Sequence, residues 1–312
     1  MFIEDSTVSP QERIGFLLRE LYARHGYTRY RMSKFEEYDL YSRNKDYLFS
    51  EGVITFTDTN GRLMALKPDV TLSIVKNGRD TPGEVRKLYY HENVYRVSVA
   101  EDGFREQTQV GVECMGAVNQ PCIAEMLELA TESLKLCSPR YVLEVSHLDL
   151  LSAVTEAITD DERVRKALLH CVGEKNSHGI RGICRENGIA GAEEDRLIRL
   201  LSLYGTPAEV LPGVTELARE AGAERYAEEL RQAVAALDGG EDRILIDFSA
   251  TGNTKYYNGI AFKGFIDGIP GSVLSGGQYD HLMRRMGRKD RAVGFAVFLD
   301  ALERLKEEGE HA

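Results

Sequence analysis

The sequence predicts an α/β protein of the α+β kind: a mostly antiparallel sheet flanked by helices, with an all-helical insertion. Three observations lead there. Alternating strand patterns joined by tight turns fill about residues 27–145, a block rich in Ala, Leu, Glu and Arg with helical periodicity follows over about 149–237, and strand patterns return after 243. The expected boundaries are a core domain of residues 1–148 and 239–312 around a helical insertion of 149–238.

Ser9-Pro10-Gln11-Glu12 opens the first helix, with Ser9 as N-cap, Pro10 at the first helical position and Glu12 completing a capping box. Ile14, Leu17, Leu18 and Leu21 recur at helical spacing until Gly26 stops the helix. Residues 27–35 are extended in character. Val53–Thr57 and Arg62–Leu66 flank Asn60-Gly61, a dipeptide suited to the type I′ turn of a two-residue hairpin. Two strands follow, about 86–97 and 105–116, joined by the turn Ala100-Glu101-Asp102-Gly103. After Pro121 a helix runs to Cys137, and Tyr141–Val145 reads as a short buried strand. Gly239-Gly240 ends the helical block. Ile244–Phe248, Tyr257–Phe265 and Val273–Ser275 read as strands, and a final helix is expected over about 294–308.

Composition narrows the function classes. The 312 residues are 43% hydrophobic and 29% charged, which fits a globular chain rather than a disordered one. No apolar run reaches the ~18 residues of a membrane helix, and the N-terminus lacks a basic-then-apolar signal, so a soluble, cytoplasmic protein is expected. A net charge of −11 argues against nucleic-acid binding, which needs a basic face. The local run Arg284, Arg285, Arg288, Lys289 and Arg291 reads better as a solvated helix end and loop. Five widely spaced cysteines (Cys114, Cys122, Cys137, Cys171 and Cys184) form no Cys-x-x-Cys pair, so no metal site is expected and they read as reduced thiols.

Four segments carry more specific information: Leu66-Lys67-Pro68-Asp69-Val70-Thr71; Tyr95-Arg96 through Gln109-Val110-Gly111-Val112-Glu113; Lys255-Tyr256-Tyr257-Asn258-Gly259; and Gly276-Gly277-Gln278-Tyr279-Asp280 followed by Ala292-Val293-Gly294-Phe295-Ala296. In this order they resemble the catalytic domain of histidyl-tRNA synthetases: its Arg-Pro-Glu-Gly-Thr substrate loop, its class II motif two, its histidine signature Arg-Gly-Leu-Asp-Tyr-Tyr-Thr-Gly, and the lead-in to motif three. The resemblance implies a class II aminoacyl-tRNA synthetase-like fold. It also implies a histidine-binding set of Asp69, Thr71, Gln109, Glu113, Tyr256 and Tyr257, with Arg96 available for a ligand carboxylate or an anionic partner. Gln109 and Glu113 lie four apart on one strand and therefore share a face.

Several of these residues also have a plainer reading. Tyr256 and Tyr257 would alternate faces in a strand, leaving one as core; Glu113 could form a structural ion pair with Arg96; Asp69 could cap the helix that begins near Thr71.

Set against the family pattern, the ATP-binding half is eroded. Arg96 keeps motif two's arginine, but the acid two positions on is Ser98 and motif one's proline is Ser33. Gly252 falls on the signature arginine, and an ungapped reading puts Ala301 where motif three has its phosphate-facing arginine; Arg304 takes that place only with an insertion. With only residues 306–312 after that point, an anticodon-binding domain of the synthetase kind is not expected.

A synthetase core without its ATP arginines resembles the regulatory subunits of ATP phosphoribosyltransferase. Glu144-Val145-Ser146-His147, Leu203-Tyr204-Gly205 and Val210-Leu211 are similar to segments of that family, although His147 alone reads as a core or capping residue. The resemblance implies a non-catalytic protein with no cofactor and no catalytic residue. Its implied partners are a short-form catalytic subunit and L-histidine, in a hetero-octamer containing homodimers of this chain. The alternatives are a truncated adenylating enzyme and a synthetase-like binding module with another partner.

Overall fold

The computed structural model describes residues 8–48, 52–78, 81, 83–98, 103–235, 237, 243–249 and 256–304. Helix α1 spans Pro10–Arg24 and begins as its sequence predicts: the Glu12 amide donates to Ser9 Oγ at 3.2 Å and the Ser9 amide to Glu12 Oε2 at 2.8 Å. Gly26, at φ +81°, takes the left-handed conformation that ends it. Strand β1 (Thr28–Arg29) follows, then β2 (Phe35–Glu37), helix α2 (Tyr38–Arg43), and the hairpin β3 (Thr55–Thr57) with β4 (Leu63–Leu66). These last two strands and β2 form a small sheet in the order β2-β4-β3.

The hairpin turn differs from the expected type I′. Among the described residues Lys175 is the only non-glycine with positive φ, so Asn60 does not supply the first left-handed residue. The Asp58 amide donates to Arg62 O at 2.9 Å and the Gly61 amide to Asp58 O at 3.1 Å, which is a three-residue loop with Gly61 (φ +78°) as its left-handed bulge residue. Asp58 decides the outcome. Its Oδ1 accepts from the amides of Asn60 and Arg62, both at 2.8 Å, and this favours the wider loop.

Helix α3 (Thr71–Asn77) leads into the long hairpin β5 (Val85–Ser98) and β6 (Gly103–Gly116); Ala100, Glu101 and Asp102 of the expected turn lie outside the described residues. Helix α4 (Gln120–Cys137), capped by Asn119, crosses to β7 (Tyr141–His147). The helical segment comprises α5 (Leu148–Glu156), α6 (Glu162–Gly173), α7 (Ser177–Glu186), α8 (Gly191–Ser202), α9 (Pro207–Glu220) and α10 (Glu224–Ala235), with the short strand β8 (Tyr204–Gly205) inside it. Gly239-Gly240 lies outside the described residues. Strands β9 (Ile244–Asp247), β10 (Asn258–Ile266) and β11 (Leu274–Gln278), helix α11 (Asp280–Arg285) and strand β12 (Arg291–Phe298) complete the order.

The final helix expected over 294–308 is therefore corrected. Residues 291–298 are a strand, and only a 3-10 turn, Leu299–Arg304, follows; residues 305–308 are outside the described part. The physical reason is its place in the sheet, whose order is β1-β5-β6-β12-β11-β10-β7-β9-β8. There β12 is antiparallel to both β6 and β11 and covered on both faces, so it reads as an unbroken apolar run without the alternation of a half-exposed strand. Among the described strands only the pairs β1–β5 and β7–β9 are parallel.

One face of the sheet packs Val110, Val112, Phe262 and Phe295 onto α1 and α4, and the same apolar cluster continues into the helical segment through Leu150, Leu168, Leu197 and Leu230. The opposite face carries a second cluster of Tyr90, Tyr256 and Tyr279 with Val70, Leu72 and Leu282. That second face holds the site. None of the described helices is long and apolar enough to cross a membrane.

Candidate functional site

Strand pleating decides which side chains reach this face. Gln109, Gly111 and Glu113 alternate along β6 with the core residues Val110, Val112 and Cys114. Glu113 is in register with Gly294, which is in register with Gly277; one pleat along, Gly111, Ala296, Ser275 and Lys263 form the next row. Small residues in the middle strands leave space above the sheet. A Cβ on Gly294 would stand 1.9 Å from Glu113 Oε2, and one on Gly111 2.5 Å from the Tyr90 hydroxyl. The result is a cavity of about 240 Å³, lined by all seven residues singled out in the sequence: Asp69, Thr71, Arg96, Gln109, Glu113, Tyr256 and Tyr257.

Glu113 sits at its centre, fully buried. It accepts from Thr71 Oγ1 and from the Tyr279 hydroxyl, each at 2.6 Å. Burial pushes its carboxyl up to about 8, against the pull of those two hydrogen bonds. Asp69 Oδ1 accepts from the Leu72 amide at 2.8 Å, so it caps α3 while its carboxyl lines the cavity; the two readings of Asp69 coexist. Burial raises its pKa too, with two backbone amides and the nearby Arg96 guanidinium acting in the opposite sense. Arg96 does not serve Glu113 in the manner of a structural ion pair. Its Nε donates to Pro68 O and a terminal nitrogen to Gln107 Oε1, both at 3.2 Å, and Gln109 Nε2 donates to the same Gln107 oxygen at 3.2 Å.

Tyr256 and Tyr257 correct an expectation. They precede β10, which begins at Asn258, so strand alternation does not apply and both rings face the cavity. The rings meet edge to face with centroids 4.7 Å apart, and Tyr256 continues to Tyr279 at 6.1 Å. Burial holds both hydroxyls protonated far above neutrality.

Sequence reasoning missed Tyr90, Gln107, Lys263 and the function of Tyr279. For Tyr279 the signal was present, since it stands inside Gly276-Gly277-Gln278-Tyr279-Asp280. Its neighbours explain the motif: Gln278 Oε1 accepts from the Ile260 amide at 2.7 Å, and Asp280 accepts from the Ala292 amide at 2.9 Å and from Arg291 Nε at 3.1 Å. The motif thus ties β10, β11 and β12 together beneath the cavity.

The remaining candidates fall outside the site. His147 caps α5, its Nδ1 accepting from the Leu150 amide at 3.3 Å while Nε2 faces Glu229 Oε2 at 3.2 Å. Ala301 packs at the edge of the core in the turn after β12. Gly252 and Lys255 lie outside the described residues. In the basic run, Arg288 binds Gly78 O and Arg291 binds Asp280 and Val118 O, as a helix end and loop would. Cys114, Cys171 and Cys184 are buried, and all five thiols are unpaired.

Two buried carboxyls, hydroxyl and amide groups, and a wall of tyrosines suit a small ligand with cationic and hydrogen-bonding groups. The family model described as histidyl-tRNA synthetase matches residues 3–302. An ATP phosphoribosyltransferase regulatory subunit from Caldanaerobacter subterraneus is 30% identical over 290 residues, covering 90% of this chain and 75% of the relative. The fold is similar to that of an ATP phosphoribosyltransferase regulatory subunit/histidyl-tRNA synthetase from Bacillus halodurans, with a TM-score of 0.83 and 24% identity over 94% of this chain and 78% of that one. It is also similar to a chain in an ATP phosphoribosyl transferase complex from Thermotoga maritima, with a TM-score of 0.71 and 18% identity over 93% and 97% of the two chains.

Proposed function

The chain belongs to the histidyl-tRNA synthetase family, and from that premise we propose that it is the non-catalytic regulatory subunit of an ATP phosphoribosyltransferase. It works in the cytoplasm, in histidine biosynthesis, beside a short-form catalytic subunit that joins ATP to phosphoribosyl pyrophosphate. It is required for that subunit's activity and for feedback inhibition by L-histidine. The assembly is a hetero-octamer containing homodimers of this chain, without nucleic acid, metal or cofactor.

One observation carries this reading. The residues that the family resemblance assigns to amino-acid binding line one cavity, with Glu113 held by Thr71 and Tyr279 and with Asp69, Gln109 and two tyrosines around it. In the ungapped register, by contrast, Ala301 stands where an adenylating enzyme needs a cation. Transition-state charge on a transferred phosphate requires fixed cationic donors, and removing one typically costs orders of magnitude in rate. Such a protein can read an amino acid without activating it.

Histidine then acts through linkage. Its α-ammonium meets Asp69 and Thr71, and its imidazole meets Glu113 and the tyrosines. It inhibits only by binding the inhibited arrangement of the complex better than the active one, typically by ~1–3 kcal/mol. Reciprocity follows: substrates that favour the active arrangement weaken histidine binding.

Reconstitution tests the proposal. Mixed with its cognate short-form catalytic subunit, the protein should co-elute with it, raise phosphoribosyl transfer from ATP and make that transfer sensitive to histidine. No co-elution at micromolar concentration, or a mixture no more active or histidine-sensitive than the catalytic subunit alone, overturns it. The chain alone should also fail to support histidine-dependent exchange of pyrophosphate into ATP. Robust exchange would return it to the adenylating enzymes.

A further inference from the structure

The cavity has a cationic group at an end that the family pattern does not point to. Lys263 lines it from β10, on the same sheet face as Gln109 and Glu113. It is half-buried and forms no ion pair or hydrogen bond with a described residue, although Glu144 stands opposite it on β7. Glu144 lies beside Asp247, which is bound to Lys175 Nζ at 2.9 Å. Arg96, the other cation of the cavity, already donates to Pro68 O and Gln107 Oε1 and faces Asp69. Of the two, Lys263 is the one whose nitrogen makes no hydrogen bond to a described residue, its charge being balanced across the strand pair by Glu144, which is itself shared with Lys175.

The separation also fits. Glu113 on β6 and Lys263 on β10 are separated by β12 and β11, hence by three strand spacings across the sheet, and by one pleat along it, about 16 Å between backbones. Side chains extending toward each other across that distance leave a gap the length of one amino acid. The carboxylate of an α-amino acid shares a carbon with its ammonium, so with the ammonium at Asp69 and the side chain at Glu113 it is the one remaining group to turn toward Lys263. Ser275, in register with Lys263, stands beside it with its hydroxyl bonded to Tyr257.

We propose that Lys263 is the residue that binds the ligand's carboxylate, so that the cavity selects an intact α-amino acid over the corresponding amine. The inference rests on the histidine reading above and assigns the one ligand group that reading leaves to Arg96.

Calorimetric titration of the reconstituted complex with histidine, and with histamine as the analogue lacking only the carboxylate, tests it. In the wild-type complex histidine should bind more tightly than histamine. Lys263→Met, which keeps the apolar stem, should weaken histidine about 10- to 100-fold and leave histamine within about twofold, as expected for loss of a charge-assisted contact. Lys263→Arg, which keeps the charge, should retain most of the preference. A Lys263→Met complex that discriminates like the wild type, or that loses both ligands equally, overturns the inference while leaving the histidine pocket standing. An equal loss of discrimination in Lys263→Arg also overturns it, because charge would not be what matters. A wild-type complex that binds neither ligand overturns the histidine reading and this assignment together.

Discussion

Replacing Gly294 by alanine should weaken histidine inhibition of the reconstituted complex by roughly 30- to 150-fold, although Gly294 has no side chain with which to hold the ligand. The added Cβ would lie 1.9 Å from Glu113 Oε2 and 2.5 Å from Val112 O. A backbone carbonyl in a central strand has little room to move, so the glutamate must leave its place. It would then lose its hydrogen bonds from Thr71 and Tyr279. The ligand would lose its contact with Glu113 as well, and losing about 2–3 kcal/mol of ligand affinity with a buried polar contact gives the stated range. Overpacking should also destabilise the fold by about 1–3 kcal/mol. Inhibition curves and urea unfolding of the same variant separate the two effects. An unchanged histidine response in a folded Gly294→Ala protein would show that Glu113 is not part of the grip.

The second large effect concerns stability against pH. Unfolded, Glu113 titrates near 4.5; folded and empty, it is raised to about 8. Between those values the folded chain holds a proton that the unfolded chain has released. This contribution to stability is therefore complete below about 4.5 and is lost as the pH rises through 8. The slope approaches 1.4 kcal/mol per pH unit at most, so the whole interval sums to about 5 kcal/mol and the part from pH 5 to pH 8 to about 3–4 kcal/mol. Glu113→Gln has nearly the same shape and no proton to lose. Its stability relative to wild type should rise from pH 5 to pH 8 by that amount, measured by urea unfolding of the ligand-free protein. Parallel profiles would mean that Glu113 is ionised in the empty cavity.

Much of the site was legible in the sequence because its residues are held by local rules. Asp69 caps the helix it precedes, and Gln109 and Glu113 share a face through the period of a strand. What escaped was set by distant partners. Tyr256 and Tyr257 were read by alternation, but the chain has not yet entered β10 there. Tyr279 is joined to Glu113 across the sheet, from a position 166 residues later. Lys263 reaches the cavity only because two intervening strands carry small residues in its row, Ser275 and Ala296. The turn at Asn60-Gly61 was misjudged for a local reason, the side chain of Asp58. In β12, burial on both faces erased the alternation that separates strand from helix.

The place of β12 also sets the order in which the molecule can be completed. Val112 in β6 pairs with Phe295, so the middle of the sheet waits for one of the last described elements to leave the ribosome. Until then the hairpin β5–β6 and the block β11-β10-β7 are separate sheets, each with an open edge on the side where β12 will lie. Open edges of this kind recruit strands from neighbouring chains. The nascent protein is thus most vulnerable to mispairing late in synthesis, and the strand that ends the danger also carries Gly294 into the cavity floor. Closing the sheet and shaping the binding site are one event.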